Sequence, residues 1–107
     1  MPIVGKVELE SDKDVAAGTE ITLFELFPHW ERAKEFVLES DVKWGETKLR
    51  ITVDKLESFE AVASITKRKG EKTDLWMLLK MADFLKKIKA KEDIKKGEIL
   101  SVTIETA

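Results

Sequence analysis

The sequence has 107 residues, 43% of them apolar, which is the size and composition of one globular domain, residues 1–107, with a single packed core. It contains no cysteine and one histidine, so disulfides, thiolate metal sites, cysteine nucleophiles and multi-histidine metal sites are excluded. No apolar run is long enough to cross a membrane, and the first ten residues lack the pattern of a signal peptide. We therefore expect a cytoplasmic protein without membrane association.

The charged residues, 37% of the chain, include 16 lysines and 14 glutamates, and there is no asparagine or glutamine. This composition is typical of hyperthermophilic proteins and predicts a thermophilic source. The net charge of −2 is unevenly divided, since residues 1–63 carry −6 and residues 64–107 carry +4. Such halves can attract each other within the fold or steer a partner, and the sequence leaves both possibilities open.

The first half of the chain predicts two strands followed by a helix. Residues 3–10 alternate apolar and polar side chains, the period of a strand with one solvated face. Residues 19–26, TEITLFEL, are rich in β-branched and aromatic residues and carry apolar groups on both faces, which predicts a strand covered on both sides. Pro28 suits the first turn of a helix, and apolar residues then recur at helical spacing until about Ser40.

The second half predicts a hairpin, a long helix and a closing strand. Residues 48–54 alternate strictly, and residues 59–67 follow as a strand that can pair with them. Thr73 and Asp74 begin a predicted helix over 75–90, whose apolar arc covers more than half of its circumference. Residues 99–106 alternate again, with Leu100, Val102 and Ile104 on the inner face.

This order of elements predicts an α+β fold, a two-layer sandwich with a mostly antiparallel sheet and two helices on one face. Without its first strand the order is β-α-β-β-α-β, the ferredoxin-like split βαβ core, so we predict that core with an extra N-terminal strand. The similar phrases DVAAGTEI (14–21) and DIKKGEIL (93–100) each read as a turn that leads into a strand.

Four features of the sequence are weak candidates for functional sites. His29, at the predicted helix start, can be a general base, but no nucleophile lies at a telling spacing and a structural or solvent-facing histidine is favoured. Pro2 stands in an MPIV start that resembles tautomerases, which use an N-terminal proline as base but follow their first strand with a helix. Residues 8–14 carry alternating carboxylates that suit a solvated acidic edge better than a cation site. The aromatic residues of 23–36 fit core positions of the predicted elements.

The run KRKGEKTDLW, residues 67–76, is the strongest candidate for binding an anion. Lys67, Arg68, Lys69 and Lys72 precede a predicted helix start, an arrangement that favours phosphate. An exposed, lysine-rich loop of a thermophilic protein is nevertheless the favoured interpretation, since Asp74 already supplies the negative charge that a helix start favours. Together with the Lys86–Lys96 run, this loop is our alternative functional hypothesis, an anion or single-stranded nucleic-acid binder.

The run EITLFELFPHWERAKEFV, then WGETK, a later strand, TDLW and a final strand resembles in order the divalent-cation tolerance proteins of the CutA family. The resemblance covers about residues 20–105, and it implies a ferredoxin-like fold and a trimer with suspected metal binding. This chain has an additional N-terminal strand and lacks the cysteine of that family, so no site residue is carried over.

Our main functional hypothesis rests on a surplus of apolar side chains. A strand apolar on both faces and a helix with so wide an apolar arc exceed what one small sheet can cover, which favours a non-enzymatic, self-associating or protein-binding module. The predicted interface residues are Phe24, Leu26, Trp76, Met77 and Met81. We predict no catalytic residues, no metal and no cofactor.

Overall fold

The computed structural model describes residues 2–107, which form an α+β domain of eight strands, three single-turn helices and one 3-10 helix. The strands are β1 (Ile3–Glu10), β2 (Glu20–Ile21), β3 (Glu35–Val37), β4 (Lys48–Val53), β5 (Phe59–Val62), β6 (Lys72–Asp74), β7 (Ile88–Lys89) and β8 (Ile99–Thr106). The helices are α1 (Leu23–Leu26), α2 (Leu75–Leu78) and α3 (Met81–Phe84), with the 3-10 helix at Trp30–Arg32. None of these helices has the length and apolar content that crossing a membrane requires.

The main sheet has four antiparallel strands in the order β1-β8-β4-β5. Its centre is β8, in which Val102 pairs with Val7 of β1 on one side and with Val53 of β4 on the other. The alternating residues predicted to face inward on β4 and β8 are at most 1% exposed. The predicted strands 3–10 and 99–106 and the β4–β5 hairpin are confirmed, although β5 ends at Val62 rather than at residue 67.

Two small antiparallel sheets, β2–β7 and β3–β6, join parts of the chain that are far apart in sequence. In the second of these sheets Phe36 pairs with Thr73, and both residues are buried. The ring of Phe36 also lies directly over Gly5, where the β1–β8 register is irregular. A glycine is required at this point because the aromatic ring occupies the space of a β-carbon.

Four turns of the same geometry organise the connections. They are turn A (Ala16–Thr19), turn B (Lys43–Glu46), turn C (Arg68–Glu71) and turn D (Lys95–Glu98). Each is closed by a backbone hydrogen bond of 3.0–3.1 Å from its fourth to its first residue. In each the third residue is a glycine with φ between +74° and +91°, as a type II turn requires. The two similar phrases noted in the sequence are turns A and D.

The turns associate as two pairs, A with D and B with C. Val15 and Ile94, which precede turns A and D, exchange two backbone hydrogen bonds of 2.8 and 2.9 Å. Val42 and Lys67 do the same before turns B and C, at 2.9 and 3.0 Å. Each turn pair is therefore a short antiparallel bridge between segments that are distant in sequence.

Side chains reinforce both pairs in the same way. The carboxylate of Asp14 accepts the Lys96 N–H, and that of Asp93 accepts the Ala17 N–H, each at 2.8 Å. In the B–C pair, Asp41 accepts from the Lys69 N–H at 2.7 Å. The hydroxyl of Thr66 accepts from the Trp44 N–H at 3.0 Å. Each turn thus has one backbone donor satisfied by the segment that leads into its partner.

The predicted strand over 19–26 is wrong beyond Ile21, because α1 begins at Leu23. Thr22 and Glu25 form a capping box, in which the Thr22 hydroxyl accepts the Glu25 N–H at 3.1 Å and the Glu25 carboxylate accepts the Thr22 N–H. The T-x-x-E spacing is a sequence signal for a helix start. The β-branched composition of the segment nevertheless led to the prediction of a strand. Leu23 and Leu26 consequently lie on one buried helical face.

The predicted helix from Pro28 to Ser40 is also wrong. This segment forms the 3-10 helix Trp30–Arg32 and then the strand β3. Phe36 is used in strand pairing with β6, so the apolar spacing that predicted a helix instead reflects tertiary packing.

The predicted helix over 75–90 is divided into α2, α3 and β7. Leu79 and Lys80 adopt extended backbone, with ψ of 157° and 161°, and separate the two helical turns. The break allows Leu78, Leu79 and Phe84 all to be at most 2% exposed, which one straight helix of this small domain does not achieve. The ferredoxin-like arrangement and the two-layer sandwich are therefore not confirmed, whereas the α+β class and the antiparallel sheet are.

Replacing Gly5 tests the packing of β1 against Phe36. A β-carbon at residue 5 would lie 2.5 Å from Cδ2 of the Phe36 ring, so we expect Gly5→Ala to destabilise the protein by about 2 kcal/mol through overpacking. Urea unfolding of the single variants and of Gly5→Ala with Phe36→Leu measures the coupling. If the smaller side chain at residue 36 restores no stability to Gly5→Ala, this contact is not the cause.

An ion pair beside turn D predicts a loss of stability in acid. The hydrogen bond from Lys55, followed by the Lys95 N–H, lowers the pKa of Glu98, while the same pair raises the pKa of Lys55. The contribution of Glu98 is complete above the ordinary glutamate pKa of about 4.3 and is lost as the pH falls through the lowered value. We expect the stability difference between the wild type and Glu98→Gln, measured by urea unfolding, to be largest at neutral pH and to shrink in acid. A pH-independent difference would contradict this assignment.

Candidate functional site

An aromatic stack lies at the junction of the three helices. The Trp76 ring of α2 is parallel to the ring of Phe84 in α3, with centroids 3.7 Å apart and an angle of 6°. Phe24 of α1 meets Trp76 edge to face, at 6.2 Å and 85°. Phe84 is 1% exposed whereas Phe24 is 39% exposed, so the stack runs from the core to the surface. The exposed Phe24 is consequently held by the half-buried Trp76, which in turn packs on the buried Phe84.

Further apolar side chains on the same helices are exposed. Met77, Met81 and Leu85 have exposed fractions of 49%, 59% and 57%. They belong to α2, α3 and the residue that ends α3, and α1 is in contact with α3. We call this set, Phe24, Trp76, Met77, Met81 and Leu85, the aromatic patch. Four of its members were predicted from the sequence as interface residues, and Leu85 was not among them.

Leu26 is placed differently from the prediction. Its side chain is fully buried, because the helical turn of α1 directs it into the core and not toward the exposed face with Phe24. We therefore exclude Leu26 from the surface of this chain and replace it by Leu85.

Local capping fixes the three helices that carry the patch. The Asp74 carboxylate accepts the Met77 N–H at 2.9 Å and begins α2. Asp83, the third residue of α3, accepts the N–H of Lys80, the residue before the helix, at 3.2 Å. Helices of four residues do not persist alone, so these caps and the core contacts are what hold the patch in place.

Asp83 also ties α3 to the edge of the main sheet. Its side chain is fully buried, and the ammonium of Lys86 lies 3.2 Å from its Oδ1 while donating to the Glu60 carbonyl at 2.9 Å. The contact with Oδ1 has the distance of an ion pair without the direction of a hydrogen bond, so this oxygen has charge compensation but no hydrogen-bond partner. The Lys86 ammonium also lies 5.6 Å from the centre of the Phe59 ring.

His29 lies at the rim of a half-open pocket of about 430 Å³. The pocket has apolar walls that include Trp76 and Phe27, and a charged rim that includes Arg32. The His29 Nε2 is 3.2 Å from Asp12 and its Nδ1 is 3.6 Å from Glu31, so both ring nitrogens face carboxylates. This geometry joins the 3-10 helix to the end of β1 and directs neither nitrogen at a nucleophile.

The other sequence candidates are separated. Glu8 and Glu10 stay on the extended strand β1, whereas Asp14 leaves them to cap turn D. Residues 2–107 contain no cluster of three or more histidine, cysteine, aspartate or glutamate residues suited to a metal ion. The lysines of the Lys86–Lys96 run are divided among the segment after α3, the strand β7 and turn D. They therefore do not belong to one structural element.

The basic loop, residues 67–72, contains turn C and is tightly held. Lys67 donates through its ammonium to the Lys72 carbonyl at 2.7 Å, and the Arg68 N–H donates to the Glu71 carboxylate at 2.8 Å. Arg68, Lys69 and Lys72 are exposed. The pairing of turn B with turn C also brings Trp44 next to this loop. The Trp44 N–H donates to the hydroxyl of Thr66, which lies 22 residues away in sequence. No local pattern indicated that approach, which depends on the Val42–Lys67 bridge.

Comparisons of this chain with protein-family models, with curated proteins and with solved structures find no match.

Substitution of Asp41 tests the pairing that builds the basic loop. Asp41→Ala removes the acceptor of the Lys69 N–H, and we expect it to cost about 1 kcal/mol of unfolding free energy. Asp41→Asn keeps a side-chain oxygen that can accept the same bond, so it should lose less. Urea unfolding of the two variants is the measurement, and equal losses would show that the hydrogen bond is not the stabilising contact.

Proposed function

We propose that this protein is a non-enzymatic module that self-associates through the aromatic patch, with a second copy of the same chain as its partner. The observation that supports the proposal most directly is that Phe24, Met77, Met81 and Leu85 are all exposed on or next to the three short helices joined by the stack of Phe24, Trp76 and Phe84. Exposed apolar side chains that cluster on one face are typical of interaction sites, whereas scattered ones are common on any surface.

The composition of the patch suits association. Fully burying one large apolar side chain contributes about 1.5–3 kcal/mol, and the patch offers several that are only half covered. Phe24 and Trp76 are rigid anchors, since both rings pack against other rings. Met77 and Met81 are flexible side chains that fill irregular gaps in an interface. Rigid anchors beside adaptable neighbours lower the entropy that binding must overcome.

The charges around the patch favour a second copy. The α1 side carries Glu25, whereas Lys80 directly precedes α3 and Lys87 follows it. A two-fold axis that passes between α1 and α3 sets the α1 side of one chain against the α3 side of the other. Each acidic side then meets a basic side, and this pairing occurs twice in the dimer.

The double variant Met77→Asp with Met81→Asp tests the proposal. Both positions lie in the first turn of a helix, where an aspartate is compatible with the helix dipole, so the fold should be retained. Unpaired carboxylates buried in the dimer should raise its dissociation constant roughly 100-fold. Sedimentation velocity of the purified chain over a range of concentrations measures this change.

The control for this experiment is Trp44→Ala, which removes a large exposed apolar side chain from turn B and leaves the patch intact. We expect the control to dimerise as the wild type does. A wild-type chain that stays monomeric at all concentrations, or a double variant that associates equally well, would remove the proposal.

A further inference from the structure

Trp44 is the most exposed of the large apolar side chains in residues 2–107, with 71% of its surface accessible. It occupies the second position of turn B, between Lys43 and Gly45. The corresponding positions of turns A, C and D are Ala17, Lys69 and Lys96. The turn geometry is therefore formed equally well with an alanine or a lysine, and folding does not require an aromatic ring at residue 44.

The backbone beneath this ring is fixed. The Trp44 N–H donates to Thr66 at 3.0 Å, and the Gly45 N–H donates to the Ala63 carbonyl at 3.0 Å. The bridge between Val42 and Lys67 then holds turn B against turn C. The indole consequently projects from a rigid support beside the basic loop and not from a loose segment.

The charges of this turn pair are unequal. Residues 41–46 and 66–72 contain five basic and three acidic side chains. Of the acidic ones, Asp41 and Glu71 accept backbone N–H groups within the turn pair, and Glu46 forms an ion pair with Lys43 at 3.4 Å. Within residues 2–107, the side chains of Arg68 and Lys69 have no carboxylate within 4.0 Å.

We infer that the B–C turn pair binds single-stranded nucleic acid, with Trp44 stacking on a base and Arg68, Lys69 and Lys72 contacting phosphates. The inference extends the alternative hypothesis from the basic loop and is independent of the aromatic patch. Aromatic rings beside a cationic surface are the common device of proteins that bind single strands without sequence preference. The positive charges attract the backbone, and the ring supplies contact that every base can make.

The shape of the site favours a single strand. An indole at the tip of a turn can stack only on a base whose face is uncovered, and duplex bases cover one another. One ring and three cations are enough for a few nucleotides, so the binding is short-range and strongly dependent on salt. The A–D turn pair has the same backbone and lysines but carries Ala17 where the B–C pair carries Trp44, which makes it an internal comparison.

The test is fluorescence anisotropy of a labelled oligothymidine titrated with the full-length chain at several salt concentrations. Trp44→Ala should weaken binding roughly tenfold, because replacing a ring that stacks on one base by alanine typically loses about that much affinity. Trp44→Phe keeps an aromatic face and should retain most of the affinity. Arg68→Ala and Lys69→Ala should each lower the slope of log affinity against log salt by about 0.7. Circular dichroism melts confirm that each variant is folded.

The matched control is Lys96→Ala, which removes one lysine from the equivalent position of turn D and should leave the affinity unchanged. Met77→Asp with Met81→Asp should also bind the oligonucleotide normally, so a failure of self-association is distinguished from a failure of this site. Equal affinity of the wild type and Trp44→Ala would overturn the inference. So would equal competition by duplex DNA, or an effect of Lys96→Ala as large as that of Lys69→Ala.

Discussion

Two reciprocal turn pairs hold together segments of the chain that are up to 82 residues apart. In each pair, two backbone hydrogen bonds and two side-chain acceptors satisfy donors that a loop would otherwise leave to water. Because turn A leads through β2 into α1, and turn C leads through β6 into α2, the pairs also determine where the helices begin. The helices are too short to be stable alone, so their positions depend on this framework.

The domain held together by these turn pairs presents two different exposed surfaces. At the helices, the stack from Phe84 through Trp76 to Phe24 extends the core outward and supports the aromatic patch. At the B–C turn pair, the same kind of backbone carries an exposed tryptophan and a group of cations. One surface is apolar with a charged rim, and the other is charged with a single ring. We therefore propose different partners for them, a second copy of the chain for the first surface and a nucleic-acid strand for the second.

The candidate sites were only partly predictable from local patterns. Phe24, Trp76, Met77 and Met81 were identified as surplus apolar residues, yet the elements expected to carry them, a strand over 19–26 and a helix over 75–90, are not the ones observed. One local signal was available but did not decide the prediction, the T-x-x-E capping box at Thr22. The approach of Trp44 to the basic loop had no local signal, because it depends on pairing between Val42 and Lys67.

The sequence by itself determined the α+β class and the strands β1, β4 and β8, since a strict alternation of apolar and polar residues has one structural solution wherever a sheet face is buried. It also marked turns A and D through the glycines of DVAAGTEI and DIKKGEIL, because few other residues adopt a positive φ without strain. Only the tertiary structure decided how residues 75–90 fold. Apolar residues spaced by three and four fit one long helix or two short ones joined by extended residues. The choice depends on how much surface the rest of the domain provides to cover them, and here that surface covers Leu78, Leu79 and Phe84 only when the helix is broken.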